Sequence, residues 1–412
     1  MKPDGRSPTV RDGAGHRGRI RAALDVLVDN FWALPIGVLA ALVWANTAGV
    51  SYFRFAHALR FVVNDVGMVF FVALVTEEAL EAVMPGGALH RWRRTLLPMA
   101  AAVGSVLGAT IVYVLYLRER SEFMLLEGWP VAAAQDVALA YFIARAIFQQ
   151  RRGPVGFLLI IAIVSDFIAI AGIAILYPTN PERLPLALAL LAIALSVAAA
   201  LRKARVDMLW LYLVTSGTLS WIACYWSGIQ PALALVPVVP FLPHRSRHVG
   251  LSAEAQRATP RRFEHIFKHT VQVVLLFYGL VNGGVVVGGE MPGAWAVLWA
   301  GLVGRPVGIV TSTALGMAAG LRLPVRLHWR ELIVVSLATS GGFTFALFIA
   351  ASVIPAGPLL NELKLGALFT IVGAVLAFAA ARVLHVGRFS RGPLTRRHHP
   401  RPSHATATSA AR

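Results

Sequence analysis

The stretch that decides the fold is Leu158–Leu176, LLIIAIVSDFIAIAGIAIL. It is long enough to cross a bilayer, whose hydrocarbon core of about 30 Å needs roughly 20 apolar residues as a helix. It carries one full charge in its middle, Asp166. A carboxylate there must be paired, wetted or used, because a charge at the centre of a membrane helix costs about 2.5–3.5 kcal/mol on insertion scales.

Similar runs recur from Phe31 to Leu384, in a chain that is 57% hydrophobic and only 14% charged. Soluble domains average about 25% charged residues. The composition therefore implies an all-α membrane protein. Twelve candidate transmembrane helices are expected, at 31–48, 60–85, 96–117, 129–149, 154–177, 185–201, 206–226, 229–243, 264–288, 294–319, 328–353 and 361–385. They form one membrane domain, 26–387. The flanking 1–25 and 388–412 read as disordered basic tails, polar and without an apolar core.

The net charge of +18 does not indicate nucleic acid, because the basic residues sit in the tails and in short loops between apolar runs. The loops alternate. Arg91, Arg93 and Arg94, Arg151 and Arg152, Arg202, Lys203 and Arg205, and the Arg-rich 245–262 segment fall on one side. Fewer basic residues, several beside Glu119, Glu122 and Glu182, fall on the other. Lys/Arg excess marks the cytoplasmic side, which places both termini in the cytoplasm of a bacterial inner-membrane protein. The single Cys224 permits no intrachain disulfide. His398 and His399 lie in a polar tail and do not read as a metal site. No nucleophile, HExxH pair or phosphate loop supports an enzyme.

Asp166 has two deep companions. Asp136 lies in GWPVAAAQDVALAYF (128–142) and Arg305 in LWAGLVGRPVGIV (298–310). An ion pair between Arg305 and either aspartate is the structural alternative; an ion or proton pathway is the functional one. Two candidate helices carry breaks. Small residues and Gln135 precede Asp136 in the fourth, and ATSGGFTFALF (338–348) puts Gly341, Gly342 and Thr344 in the eleventh. Paired glycines also serve close packing. Interrupted segments in corresponding positions of two halves, however, point to a transporter's midplane site. Helices 3–5 and 10–12 would then form an inverted repeat.

On these residues the chain resembles the NhaA-type sodium/proton antiporters, as a divergent member. The matches are VNDVGMVFF around Asp65, GWPVAAAQD, AIVSDFIAI around Asp166, RRFEHIF at Glu264 and His265, VGRPVGI around Arg305, and GGFTFALFIA. The resemblance implies that Asp166 binds sodium or lithium in exchange for protons; with Asp136, and with Ser165 as a neutral oxygen ligand that hard cations favour, it makes up the expected ion and proton site. It implies that Asp136 compensates half-helix dipoles; Arg305, Gln135, Gly341, Gly342 and Thr344 are read from their place in the breaks and beside them as supporting the site. Glu78 and Glu81 on the second helix, with Glu264 and His265, are its pH-response candidates. It implies no cofactor, only the transported ion, and a homodimer formed through VSYFRFAHALRF (50–61).

Three positions depart from the family pattern. Ser165 stands where an aspartate is usual, Arg305 where a lysine is, and Gln135 where a threonine is. The first two are linked, since the family's lysine pairs with the missing aspartate. With Ser165 untitratable and arginine retaining its proton, one titratable carboxyl remains for exchange. The expected function is electroneutral antiport of a monovalent cation against a proton. The other readings are a cation-coupled organic solute transporter of the same fold and a non-transporting sensor relative.

Overall fold

The computed structural model describes residues 33–83, 92–149, 152–178, 180–243, 262–286, 288, 290–321, 323, 327–355 and 357–390. Among them every regular element is a helix. In chain order these are α1 (Ala33–Thr47), α2 (Gly49–Arg60), α3 (Met68–Val83), α4 (Trp92–Glu119), α5 (Trp129–Ala133), α6 (Val137–Phe148), α7 (Arg152–Leu176), α8 (Leu184–Lys203), α9 (Leu209–Tyr212), α10 (Thr218–Ser227), α11 (Arg262–Asn282), α12 (Pro292–Trp299), α13 (Arg305–Ala318), α14 (Trp329–Ala338), α15 (Phe343–Val353), α16 (Pro358–Phe369) and α17 (Val372–Val383). Short π-helical turns, Phe61–Gly67, Leu213–Gly217 and Ala300–Gly304, join α2 to α3, α9 to α10 and α12 to α13.

Among the described residues six helical stretches are long and apolar enough to cross a membrane, and eight if each of two bent pairs counts as one span. The bent pairs are Phe123–Ala133 with Val137–Phe148, turning by 50°, and Trp329–Ala338 with Phe343–Val353, turning by 48°. The protein is thus an all-helical, multi-pass membrane protein with two broken spans. Each broken span lies between two long ones: α4 and α7 flank the first, and α12–α13 and α16–α17 flank the second.

Two segments differ from the sequence expectation. The stretch 229–243 is not an α-helix but a series of turns with 3-10 pieces at Pro231–Leu233 and Val239–Phe241. Its composition is apolar, but Pro231, Pro237, Pro240 and Pro243 each remove a backbone donor and crowd the preceding turn. The segment after α1 is helical rather than a connection. The chain breaks only at Ala48 and then runs as continuous helix from Gly49, because no proline interrupts the aromatic 50–61 stretch.

Glycine sets the closest packing. α4 lies along α13 with Gly104 and Gly108 facing Gly304 and Gly308; a Cβ on Gly308 would sit 2.0 Å from the Gly104 carbonyl oxygen, and one on Gly108 2.2 Å from that of Gly304. Both helices read small-xxx-small, the pattern that lets membrane helices approach backbone to backbone. α1 and α11 meet the same way, through Gly37 and Gly279.

Candidate functional site at the crossing of the broken helices

The two breaks meet. The first, Ala134–Asp136, leaves the helix at Ala134 in extended conformation (ψ 140°) and restarts at Asp136, also extended (φ −113°, ψ 101°). The second is Thr339–Gly342. The backbone N–H of Asp136 donates to the Gly341 carbonyl at 2.9 Å, which ties one break to the other. Gly342 is required by this approach, for a Cβ there would lie 2.6 Å from the Ala134 carbonyl oxygen and 3.3 Å from Nη2 of Arg305. Its N–H donates to Thr370 Oγ1 at 3.0 Å.

A crossing of four half-helices leaves unpaired groups at each end. α6 and α15 point N-termini at the crossing, and the Asp136 carboxylate serves both. Oδ1 accepts from Leu139 N at 2.9 Å and Oδ2 from Thr344 N at 2.9 Å. An acid is the preferred residue there, because it supplies acceptors and opposes the positive end of the helix dipole. α5 and α14 point C-termini at the same place, and Arg305 serves those. Its Nε and Nη2 donate to Ala132 O at 3.2 and 2.7 Å, Nη2 also donates to Ala134 O, and Nη1 donates to Thr339 O at 3.1 Å and Ser340 O at 3.3 Å. All three guanidinium nitrogens are used, and the side chain is 1% exposed.

Arg305 reaches this position through the π-turn before it. Pro306 has no N–H and its ring would strike a carbonyl one turn back; the wide Ala300–Gly304 turn accommodates it. Of the two uses open to a buried arginine, the ion pair is not the one realised. Among the described residues neither Asp136 nor Asp166 is bridged to it within 4.0 Å, and its partners are carbonyl oxygens.

Asp166 lies beside the crossing on α7 and is 2% exposed. Its Oδ1 accepts from the backbone N–H of Gln135 at 3.3 Å. It lines a small cavity with Val75, Thr76, Val137, Phe167 and Ile170. Ser165, wholly buried, accepts from Gln135 Nε2 at 3.3 Å and donates to Ala102 O at 3.5 Å.

The structure therefore brings Asp166, Ser165, Asp136, Gln135, Arg305, Gly341, Gly342 and Thr344 together; Thr344 contributes its backbone N–H. The side chains of Glu78, Glu81, Glu264 and His265 lie outside the described residues. The sequence reading passed over Ser105, which accepts from Gln135 Nε2 at 2.7 Å, and Thr370. It also passed over one buried ionisable side chain in the spans, Lys364; Glu77, read with Glu78 and Glu81 as part of an acidic helix end, is buried as well. The glycine contacts had a visible signal in the two GxxxG runs; Ser105, a small residue in an apolar run, had none.

Two broken helices crossing within a multi-pass helical membrane protein, their ends balanced by one buried acid and one buried base beside a second acid, define an ion-coupled secondary transporter architecture. The comparisons agree. The family model described as Na+/H+ antiporter 1 matches residues 31–384, and the chain belongs to that family. It is similar to the Na(+)/H(+) antiporter NhaA of Desulfitobacterium hafniense, 39% identical over 367 residues, covering 86% of this chain and 94% of the relative. It is 36% identical over 378 residues to Na(+)/H(+) antiporter NhaA 1 of Pelobacter propionicus, covering 89% and 99%. With the Na(+)/H(+) antiporter NhaA of Geobacter metallireducens it shares 36% identity over 386 residues, covering 90% and 100%.

Proposed function

We propose that the protein exchanges a monovalent cation, sodium or lithium, for a proton across the bacterial inner membrane, by competition of the two at Asp166. One observation carries this. Asp136 is bonded to two helix N-termini and Arg305 to two C-termini, and among the described residues neither is hydrogen-bonded or ion-paired to Asp166. A carboxylate withdrawn from water is costly to leave charged and bare. It is neutralised by a proton or by a cation, and both need the same oxygens. If only the loaded site changes sides, the competition becomes exchange. Hard cations favour oxygen ligands, and Asp166, Ser165 and Gln135 supply them.

The same reading makes the exchange electroneutral. Ser165 offers no carboxyl, and Asp136 and Arg305 are each committed to the hydrogen bonds of the helix ends, which leaves Asp166 as the exchanging group. One cation then replaces one proton. Twelve spans with α4–α7 and α12–α17 as inverted repeats, both termini in the cytoplasm, belong to this reading. So does a homodimer formed through α2, which exposes Val50 and Phe53. The test is reconstitution in vesicles with a pH-reporting dye. Sodium and lithium pulses should drive proton flux, and a protein that answers to neither at any pH between 6 and 9 is not this antiporter.

A further inference from the structure

We propose that Ser105 is a positioning residue of the cation site, fixing the Gln135 side chain so that its carbonyl oxygen becomes a ligand for the cation bound by Asp166. This rests on the exchange proposed above. Gln135 is wholly buried in the first helix break and reaches two ways. Its backbone N–H holds Asp166 Oδ1, and its side-chain Nε2 holds Ser105 Oγ at 2.7 Å and Ser165 Oγ at 3.3 Å.

The orientation of the amide follows from Ser165. That hydroxyl has Ala102 O as its acceptor at 3.5 Å, and with its proton turned there it presents a lone pair to Gln135. Nε2 faces the two serines, and Oε1 faces away from them. Oε1 is buried and has no hydrogen-bond donor among the described residues. A buried amide carbonyl without a donor is expensive to keep. Here it belongs to the residue that holds the ion-binding carboxylate, and a hard monovalent cation is the kind of partner that satisfies it.

Ser105 makes the shortest of the two amide bonds and stands on firm backbone. The preceding residue, Gly104, is in direct contact with α13, where an added Cβ would lie 2.5 Å from the Gly308 carbonyl oxygen. The serine is therefore set by the α4–α13 seam and not by the site it serves. Without its hydroxyl, the longer bond to Ser165 alone would hold the amide, and Oε1 would be free to turn from the ion.

The experiment compares the parent with Ser105→Ala, Ser105→Thr and Gln135→Ala, and with the Ser105→Ala/Gln135→Ala pair, in vesicles over a range of sodium and lithium concentrations. Ser105→Ala should raise KM for sodium about fivefold, the worth of one ordinary hydrogen bond, with the maximal rate within about twofold. Ser105→Thr, which retains the hydroxyl, should restore KM. In the Gln135→Ala background the Ser105 change should add nothing. A parent that exchanges normally while Ser105→Ala keeps its KM overturns the inference and leaves the exchange reading intact. So does an equal KM increase with and without Gln135. Sodium-dependent thermal stabilisation of the purified full chain gives a second readout. Ser105→Ala should weaken it while leaving the sodium-free melting temperature within a degree or two, and a parent with no sodium-induced shift and no exchange overturns both readings.

Discussion

Asp136 and Arg305 hold opposite ends of the same two broken helices. The acid takes the N–H groups of Leu139 and Thr344, and the base takes the carbonyls of Ala132, Ala134, Thr339 and Ser340. Each end of a helix carries about half an elementary charge, so two like ends make about one charge, and one full opposite charge answers them. Neither residue needs the other as a partner.

Arg305 is then a brace before it is anything else. Arg305→Met keeps the volume and removes every donor, leaving four carbonyl oxygens unanswered in the membrane interior. Each buried polar group left without a partner costs about 1–3 kcal/mol, so the loss should be several times that of an ordinary hydrogen bond, read as a lower melting temperature in detergent. Arg305→Lys should fall between, since one ammonium cannot span two helix ends as a planar fork does. A Met variant that melts with the parent would refute the bracing role.

The two aspartates should separate cleanly. Asp166→Asn should abolish cation-driven proton flux while the protein stays folded. Asp136→Asn should cost about 1–2 kcal/mol, the scale of a lost N-cap, because its single carbonyl oxygen cannot serve both N–H groups. Near-normal flux in the Asp166 variant would end its assignment.

The α4–α13 seam predicts a graded glycine effect. Gly308→Ala, with its Cβ 2.0 Å from a carbonyl oxygen, should destabilise by about 1–3 kcal/mol through overpacking. Gly156→Ala, where an added Cβ meets nothing within 4 Å, should be neutral or gain up to about 1 kcal/mol of helix propensity. Equal melting temperatures for the two would contradict the packing.

Exchange should ignore the membrane potential. A potential is worth about 2.3 kcal/mol per charge per 100 mV, so net charge movement would be plain in vesicles under an imposed potassium diffusion potential. Rate and end-point should not change with its sign. A clear dependence would bring Asp136 or Arg305 into proton transfer.

Topology is open to labelling. In a Cys224→Ser background, single cysteines at 250 and 120 should react from opposite sides of the membrane. Reaction from one side would refute the twelve-span arrangement.

The sequence announced some of this and hid the rest for physical reasons. Asp136, Asp166 and Arg305 stand out because a charge in an apolar run is rare, and the Gly341–Gly342 pair marks its break. What Arg305 bonds to was invisible, because main-chain carbonyls leave no trace in residue identity. The 229–243 stretch was misjudged on hydropathy, which is blind to backbone donors, although its prolines were in plain sight. The helical character of the 49–60 segment was not read, because it lacks the uniform apolarity of a span; it also lacks any proline that would stop a helix.

The π-turn at Ala300–Gly304 amounts to one residue more than an α-helix needs. Its removal would hardly alter hydropathy, length or charge. It would rotate everything beyond it by about 100°, one residue's turn, swinging the guanidinium away from the carbonyls and pressing the Pro306 ring into the preceding coil. A deletion of a single alanine, Ala300, should therefore be as damaging as loss of the arginine itself, although that side chain is a single methyl group.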